Sequence, residues 1–323
     1  MKTLPNIQTL AKASPEKIHK LWEGLGYYTR VRNMQRAAQI IVSEHDGEFP
    51  REFDSVLALP GIGRYTAGAI CSIAFNQPTP ILDGNVIRVL TRLVGIKGDP
   101  REKKANAKLW RVAEGLVNSV QHKFRSSRRK EAHSAFGRQD QSLLTSAATT
   151  ENNCSYLNQS LMELGALICI PKNPRCADCP LKSNCVAYRK HIVHLLPEIP
   201  RRAPATPRRF FAFVINRNSR FLVRQRPSGV VNAHLWEFPN LETNGETDLN
   251  KIAQTALGFR PESIELTRTI KHTITRYRIT LDIFRGEANG NHSLATNHSR
   301  WIRLRDLHAL PFTSAHKKIL EDL

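Results

Sequence analysis

Apolar residues recur at helical spacing through the first half of this chain and alternate with polar residues in its last third. Helical spacing predicts helices over residues 14–23, 29–44, 64–75, 102–119 and 156–165. Period-two alternation predicts strands at 211–215 and 277–283, and helical spacing returns at 248–257 and 314–322. The pattern therefore predicts a multidomain protein in which an all-α part precedes an α+β domain.

Changes in composition divide the chain into segments. Residues 121–153 pass from a basic run into a Ser-, Thr-, Ala- and Gln-rich tract without apolar periodicity, which predicts a disordered insertion. Residues 191–208 are rich in Pro and Arg and are typical of a linker. The predicted organisation is a helical domain over 1–120, the insertion, a helix with a cysteine loop over 154–190, the linker, and an α+β domain over 209–323.

Charge narrows the choice of partner. The 323 residues carry a formal net charge of +20 with a sequence pI near 10.1. This favours a polyanionic partner, with nucleic acid the first candidate and a ribosome-associated or merely solubilising charge the alternative. No apolar run approaches a membrane span, and the start has no apolar signal-peptide core. Six cysteines in so long a chain do not form a disulfide scaffold. The sequence thus predicts a cytoplasmic protein with no membrane partner.

A glycine-rich turn, Leu-Pro-Gly-Ile-Gly at 59–63, lies between two predicted helices. Pro60 ends the first helix because its ring and missing N–H cannot continue the hydrogen-bond ladder. Gly61 and Gly63 permit positive φ and close backbone approach. The helix that begins at Arg64 presents free N–H groups behind the turn, and such groups suit an anion such as a phosphate.

Asp83 precedes the next predicted helix, in which Val86, Val89 and Leu90 recur at helical spacing. Asp and Asn are favoured at helix N-caps, so a cap with no further role is one interpretation. The other interpretation is a carboxylate beside a phosphate-binding turn, placed to stabilise a cationic sugar.

Two tyrosines follow a glycine-broken helix end near the start of the chain. Gly24 and Gly26 interrupt the helix, and Tyr27 and Tyr28 come directly after. One interpretation is that both tyrosine rings are buried in the core. The other is a tyrosine wedge that enters a stack of bases, as apolar and aromatic side chains do in proteins that kink DNA.

Four cysteines are spaced C-x6-C-x2-C-x5-C, at Cys169, Cys176, Cys179 and Cys185. Four such residues in a cytoplasmic chain indicate a metal site rather than a disulfide pair. Zinc and an iron–sulfur cluster both use four thiolates, and spacing alone does not decide between them. Cys71 lies on an apolar helix and is predicted to be part of the core.

In this order the motifs resemble the MutY-type adenine DNA glycosylases of the helix-hairpin-helix superfamily. The resemblance rests on residues 24–28, 59–63, 81–86 and 158–165, and it covers nearly the whole chain except 121–153. It implies a base-excision repair enzyme that hydrolyses the N-glycosidic bond of adenine mispaired with 8-oxoguanine or guanine. It also implies a [4Fe-4S] cluster on the four cysteines and a MutT-like, Nudix-type C-terminal domain. The partner would be double-stranded DNA with these mispairs, and the protein would be a monomer, nucleoid-associated if bacterial.

The family's residue roles carry over to matching positions. Asp83 would stabilise the oxocarbenium-like sugar, and Asn85 would help to position the departing nucleotide. Tyr65 stands where endonuclease III relatives have a Schiff-base Lys, so a lyase step through an amine is not expected. The resemblance assigns DNA contacts to Tyr27, the wedge, and to Gly61, Gly63 and Arg64.

The C-terminal domain departs from two family patterns. A MutT-type pyrophosphatase needs acidic residues on its helix, and this chain has Ile252, Thr255 and Ala256 there. Nucleotide-pyrophosphate hydrolysis is therefore not expected. The 8-oxoguanine-reading loop of the family matches residues 272–276, where Ile274, Thr275 and Arg276 replace the usual Phe-Ser-His. An ordinary strand end is the other interpretation of this stretch.

The third departure lies at the start. The family's segment with the Glu that protonates the leaving adenine has no match, because Glu16 and Glu23 lie in a helix already assigned. Glycosidic cleavage uses one carboxyl group as the acid and a second for the sugar cation. The sequence therefore predicts slow excision by this chain, and the alternative is a catalytically inactive, lesion-binding protein of the same family.

Overall fold

The computed structural model of the protein describes residues 3–134, 154–200, 203–290 and 292–323. The chain forms two compact units. One consists of Glu48–Arg201, and the other combines Met1–Gly47 with Arg202–Leu323. None of the helices in the described part of the chain is long and apolar enough to cross a membrane.

The regular elements among the described residues of the unit Glu48–Arg201 are all helices. Its α-helices are α4 (Phe53–Ala58), α5 (Arg64–Ala69), α6 (Gly84–Val94), α7 (Lys103–Ser134), α8 (Cys154–Glu163) and α9 (Val186–Arg189). Helices α5 and α8 each continue as a π-helical turn, over Ile70–Ala74 and Leu164–Ile168, and a 3₁₀ turn spans Lys182–Asn184.

Helix α6 forms the centre of this unit. Val86, Val89 and Leu90 are buried at the helical spacing that predicted them, and they pack against Leu109 of α7 and Leu161 of α8. Burying such a side chain contributes about 1.5–3 kcal/mol, so this face fixes the helix in the core. The residues at the start of α6 are thereby held on a rigid element.

Helix α7 is longer than the sequence predicted. The apolar stripe ends near residue 119, but the helix continues to Ser134. Residues 121–134 are mostly Arg, Lys, Gln, Glu, Ala and Ser, and long unbranched side chains and Ala favour helix even without an apolar face. Helix α7 thus extends into the predicted insertion over 121–134, and the remainder of that insertion, 135–153, lies outside the described residues.

The other unit joins three N-terminal helices to the C-terminal sheet. The helices are α1 (Ile7–Lys12), α2 (Pro15–Leu21) and α3 (Thr29–Glu44). The C-terminal elements are β1 (Thr206–Arg217), β2 (Arg220–Gln225), β3 (Trp236–Glu237), β4 (Asn240–Glu242), α10 (Leu249–Leu257), β5 (Ser263–Ile274), β6 (Tyr277–Glu287), β7 (Ser299–Arg303), α11 (Leu304–Leu307) and α12 (Ser314–Leu320).

The described strands form one mixed sheet in the order β3-β2-β1-β6-β5, with β4 paired to β1 and β7 to β2. Only β1 and β6 run parallel among these pairs. Ala212 and Val214 face one buried cluster, whereas Phe213 and Ile215 face another that α10 covers. The predicted period-two alternation is confirmed, and the α+β class with it.

Candidate catalytic site and nucleic-acid interface

The glycine-rich turn lies between α4 and α5, as predicted, but only the first of its two glycines has a positive φ; Gly63 has φ −98°. Gly61 has φ +80°, and the Ile62 N–H donates to the Leu59 carbonyl at 3.1 Å. Gly63 is the N-cap residue of α5 and has no side chain to satisfy the first N–H groups of the helix. Both glycines are exposed. The turn therefore presents backbone N–H donors to solvent, which is the chemistry that a phosphate needs.

Arg64, predicted to contact DNA, is already engaged by α7. Its Nη2 donates to Glu114 Oε1 at 2.6 Å, and its guanidinium lies 3.9 Å from the centre of the Trp110 ring. Both partners of this ion pair are partly exposed, so the pair contributes only about 0–1 kcal/mol. A phosphate would therefore have to compete with a weakly held carboxylate for this arginine.

Asp83 is the N-cap of α6, as one of its two interpretations predicts. Its Oδ1 accepts a hydrogen bond from the Val86 N–H at 2.8 Å. None of the described residues donates a hydrogen bond to Oδ2. The cap uses one carboxylate oxygen and fixes the orientation of the group, so the capping and functional interpretations are compatible.

Tyr65 lies close enough to Asp83 to respond to its charge. Burial, and then the Asp83 carboxylate, raise the pKa of the Tyr65 phenol. Its hydroxyl makes a weak contact at 3.7 Å with the Met162 sulfur. A phenol held protonated beside a carboxylate is a hydrogen-bond donor and carries no amine. The structure thus brings together two of the three predicted catalytic residues.

Asn85 lies two residues after Asp83, against the π-helical turn that follows α8. Its Oδ1 accepts from Arg88 Nη2 at 2.9 Å, and the same Nη2 donates to the Gly165 carbonyl at 2.6 Å. A Cβ on Gly165 would lie 2.7 Å from Asn85 Cβ and 2.9 Å from the Asn85 carbonyl oxygen. Only glycine permits this approach.

Two arginines of α6 were missed by the sequence reasoning. Arg88 and Arg92 are four residues apart and therefore share one face of the helix. Arg88 Nε donates to the Cys169 carbonyl at 2.6 Å, and Arg92 Nη1 donates to the Ile170 carbonyl at 2.8 Å. Their spacing after Asp83 was a usable signal. The face that they form joins the start of α6 to the cysteine loop.

The four predicted metal ligands are partly buried free thiols in this loop. The Cys169 sulfur accepts from Arg92 at 3.4 Å, and the Cys185 thiol donates to the Arg92 carbonyl at 3.5 Å. Burial raises the pKa of the Cys176 thiol, and the other three cysteines raise it further. The other three cysteines are therefore close enough to Cys176 to affect the pKa of its thiol.

No group of three or more His, Cys, Asp or Glu residues in the described part of the chain is arranged to hold a metal ion. A tetrahedral zinc with Zn–S bonds of about 2.3 Å needs sulfurs roughly 3.8 Å apart. The side-chain arrangement alone thus does not establish the predicted metal site. The chemistry of the donor set fits a cluster, because four thiols of one loop lie near a buried arginine that donates to one of them.

The tyrosine turn belongs to the other unit. Tyr28 is buried, whereas the Tyr27 side chain is 77% exposed and its φ is +46°. The Trp22 indole N–H donates to the Gly26 carbonyl at 2.9 Å and closes the turn. A positive φ is unfavourable for an aromatic residue, so the turn holds an exposed ring in a strained conformation. This is consistent with a wedge at Tyr27 and a core residue at Tyr28.

The predicted 8-oxoguanine-reading stretch is a hairpin turn between β5 and β6. Ile274 pairs with Tyr277, and Thr275 and Arg276 form the two-residue loop. Thr275 has φ +52° and is exposed, and Arg276 Nη2 donates to the Tyr277 hydroxyl at 2.9 Å. Arg276 is therefore folded over its neighbour, and Ile274 is partly buried.

Comparisons with known proteins agree with this arrangement. Residues 1–114 match the HhH-GPD superfamily of base excision DNA repair proteins, and residues 210–322 match the NUDIX domain. An adenine DNA glycosylase of Schizosaccharomyces pombe is 32% identical over an alignment of 289 residues that covers 76% of this chain and 56% of that protein. The human adenine DNA glycosylase is 28% identical over 99% of this chain and 62% of its own length.

The chain is similar to the MutY-type adenine DNA glycosylases along both of its domains, a helix-hairpin-helix domain followed by a Nudix-type domain. A Buchnera aphidicola adenine DNA glycosylase is 34% identical over 75% of this chain and 61% of its own. This chain thus spans less than two thirds of the length of these relatives.

Solved structures resemble each domain separately. A thermostable thymine-DNA glycosylase covers 58% of this chain and 72% of its own, at 24% identity and a TM-score of 0.45. A MutT NUDIX hydrolase from Burkholderia pseudomallei covers 36% of this chain and 98% of its own, at 20% identity and a TM-score of 0.33.

Proposed function

We propose that this protein removes adenine from adenine:8-oxoguanine and adenine:guanine mispairs in double-stranded DNA, by hydrolysis of the N-glycosidic bond. The observation that carries the proposal is Asp83. Its carboxylate is fixed through one oxygen at the start of a buried helix, beside Tyr65 and after a turn with free N–H groups. The other oxygen is left for a substrate.

The chemistry follows from charge. As the glycosidic bond breaks, positive charge develops on the sugar, and a pre-oriented carboxylate stabilises it without reorganisation. Because the Val86 N–H holds Oδ1, Asp83 needs no rearrangement when the nucleotide arrives. Adenine must leave the base stack to reach the site, as in other enzymes that act on a base.

Asn85 and Tyr65 position the nucleotide in this proposal. Asn85 is fixed by Arg88 and by the contact with Gly165, so its amide is a rigid partner for the departing nucleotide. Tyr65 has no amine and forms no Schiff base, which limits the reaction to base removal. A strand-cleaving lyase of the endonuclease III type is the less favoured activity for this reason.

DNA would be held at separate surfaces of the two units. The Gly61–Gly63 turn binds a phosphate through backbone N–H groups, with Arg64 as a nearby cation. In the other unit, Tyr27 inserts as the wedge, and the turn of Ile274, Thr275 and Arg276 contacts the base opposite adenine. The strained φ of Tyr27 and Thr275 supports these roles, because strained residues concentrate at functional positions.

The cysteine loop would hold a [4Fe-4S] cluster through Cys169, Cys176, Cys179 and Cys185. When bound, the cluster would cross-link the loop and keep its backbone in place beside α6. Arg92 contributes by donating to the Cys169 sulfur and to two loop carbonyls, of Ile170 and Pro171.

The Nudix-type domain has no pyrophosphatase role in this proposal. Ile252 and Ala256 of α10 are buried in the core that α10 forms with the sheet. Thr255 is exposed, and its hydroxyl donates to the Lys251 carbonyl. These side chains offer no carboxylate for a divalent metal, so the domain is left as a DNA-reading element.

Asp83→Asn tests the proposal, because Asn also caps helices well and the fold should be kept. The experiment measures single-turnover adenine excision and the affinity for an adenine:8-oxoguanine duplex. Excision should fall by about a hundredfold or more, with binding retained. Asp54→Asn, at an exposed position in the first turn of α4, is the matched control.

The outcomes separate the alternatives. Equal excision by Asp83→Asn and the unchanged chain would remove Asp83 from the chemistry. Tight binding of the mispair with no excision by the unchanged chain would identify a lesion-binding protein instead. Equal affinity for mispaired and fully paired duplexes would overturn the proposal.

A further inference from the structure

Glu23 fastens the tyrosine turn to the end of the C-terminal domain. Its Oε1 accepts from the Phe312 N–H at 3.1 Å, and its Oε2 accepts from Lys20 Nζ at 3.0 Å and Lys317 Nζ at 3.1 Å. The side chain is 9% exposed. A largely buried carboxylate with three donors is a strong tie, because breaking such a contact leaves charges uncompensated.

The surrounding contacts support the same tie. Lys20 Nζ also donates to the Leu310 carbonyl at 3.0 Å, and Arg32 Nη1 donates to the Ala233 carbonyl at 3.2 Å. Burial by itself raises the pKa of the Glu23 carboxyl, but the hydrogen bonds from Lys20, Phe312 and Lys317 outweigh it and leave that pKa below its ordinary value. The ionised carboxylate is therefore the form that this structure stabilises.

The turn that begins at Glu23 contains one of two unusual backbone positions. Among the described non-glycine residues with positive φ, most are Asn, Asp, His or Ser, which tolerate this region. Tyr27 and Thr275 are the exceptions, an aromatic and a β-branched residue. Such positions persist only where neighbouring structure holds them.

Helix α12 connects the two strained turns. It starts two residues after Phe312 and carries Lys317, the ion-pair partner of Glu23. His316 Nδ1 accepts from the Phe238 N–H at 3.1 Å, which anchors the helix to the sheet. Ile319 and Leu320 of α12 lie in one buried cluster with Ile270 of β5, the strand that leads into the Thr275 turn.

We infer that Glu23 is a positioning residue that holds the Tyr27 turn and the Thr275 turn as one surface, and thereby sets discrimination of the base opposite adenine. This inference rests on the proposed function. Without the tie, each turn would contact DNA separately. The preference for 8-oxoguanine over guanine, which needs both turns at once, would then weaken, whereas non-specific binding through basic residues would persist.

The test compares affinities of the full chain for duplexes that carry a non-cleavable adenosine analogue opposite 8-oxoguanine or guanine, and for a fully paired duplex. Glu23→Ala and Lys317→Met should lower the 8-oxoguanine:guanine affinity ratio by about tenfold. Glu23→Gln keeps an acceptor for the Phe312 N–H, so it should lower the affinity ratio less than Glu23→Ala does. Glu16→Gln, on the exposed surface of α2, is the control and should lose nothing.

Thermal midpoints of all variants accompany the binding data. Lys317 is 41% exposed, so Lys317→Met should fold even if Glu23→Ala does not. Retention of the full ratio by Glu23→Ala and Lys317→Met would overturn the inference, and so would equal loss of affinity for all three duplexes. A ratio of one for the unchanged chain would instead remove the proposed function on which the inference rests.

Discussion

A close approach of two backbones beside Asp83 yields a quantitative prediction. Helix α5 passes the segment before Asp83 at Gly68, where an added Cβ would lie 2.2 Å from the Pro80 carbonyl oxygen. The Thr79 hydroxyl also donates to the Gly68 carbonyl at 2.9 Å. Carbon–oxygen contacts normally lie at about 3.3–3.6 Å, so Gly68→Ala forces a backbone shift of roughly 1 Å. The shift acts three residues before the catalytic candidate.

Two opposing effects determine how much Gly68→Ala changes the free energy of unfolding. Overpacking of a closed interior costs about 1–3 kcal/mol. Replacing a helical glycine with alanine returns about 1 kcal/mol through helix propensity. Gly115→Ala isolates the second effect, because Gly115 is exposed on α7 and an added Cβ meets nothing within 4 Å. The difference in unfolding free energy between the two variants should therefore equal the overlap cost of about 1–3 kcal/mol.

The assay is urea unfolding followed by far-ultraviolet circular dichroism, with amide hydrogen exchange to locate the change. Gly68→Ala should unfold at lower urea than the unchanged chain, lose protection in α5 and α6, and excise adenine more slowly. Gly115→Ala should be at least as stable as the unchanged chain. Equal stability of the two variants would show that the backbone at Gly68 does not approach the Pro80 carbonyl as closely as described.

Four further predictions concern other parts of the molecule. Thr275→Gly should raise the unfolding free energy by about 1 kcal/mol, because glycine adopts positive φ without strain; a lower urea midpoint would contradict this. Burial lowers the pKa of His316 from 6.5 to about 4, so its contribution to stability is present above pH 6.5 and is lost as pH falls towards about 4. His316→Asn should flatten the thermal midpoint across that window, and an unchanged slope would refute the assignment. Anaerobically purified protein should contain iron, and Cys176→Ser should lower the iron content. Stoichiometric zinc without iron would refute the cluster proposal. Duplex affinity should fall steeply with added salt, and an affinity that hardly changes would count against a basic DNA-binding surface.

Local patterns in the sequence predicted the parts of the fold that depend on neighbouring residues. The Asp83 cap and the buried stripe of α6 follow from residue type and spacing over a few positions. The alternation of Phe213 and Ile215 with their neighbours in β1 likewise reports which face of a strand is buried. In each case the physical cause lies within one element, so the sequence alone contains it.

Contacts between distant residues could not be predicted in this way. Glu23 meets Phe312 and Lys317 almost 300 residues later, and no local pattern marks such a pair. Arg64 looked available for DNA because its partner Glu114 lies in another helix. The extension of α7 was missed because its second half has helix propensity without an apolar stripe.

The two arginines of α6 give a charge argument about the cysteine loop. Arg88 and Arg92 point their guanidinium groups at loop carbonyls and at the Cys169 sulfur, and no carboxylate among the described residues forms an ion pair with either. Arg92 is only 3% exposed, and a buried cation without a counter-charge is strongly unfavourable. Neutral thiols offer no such charge, whereas metal-bound cysteines are thiolates and do. Thiolate ligands in the loop would supply that counter-charge, so metal binding by the four cysteines should stabilise Arg92 on the helix that Asp83 caps.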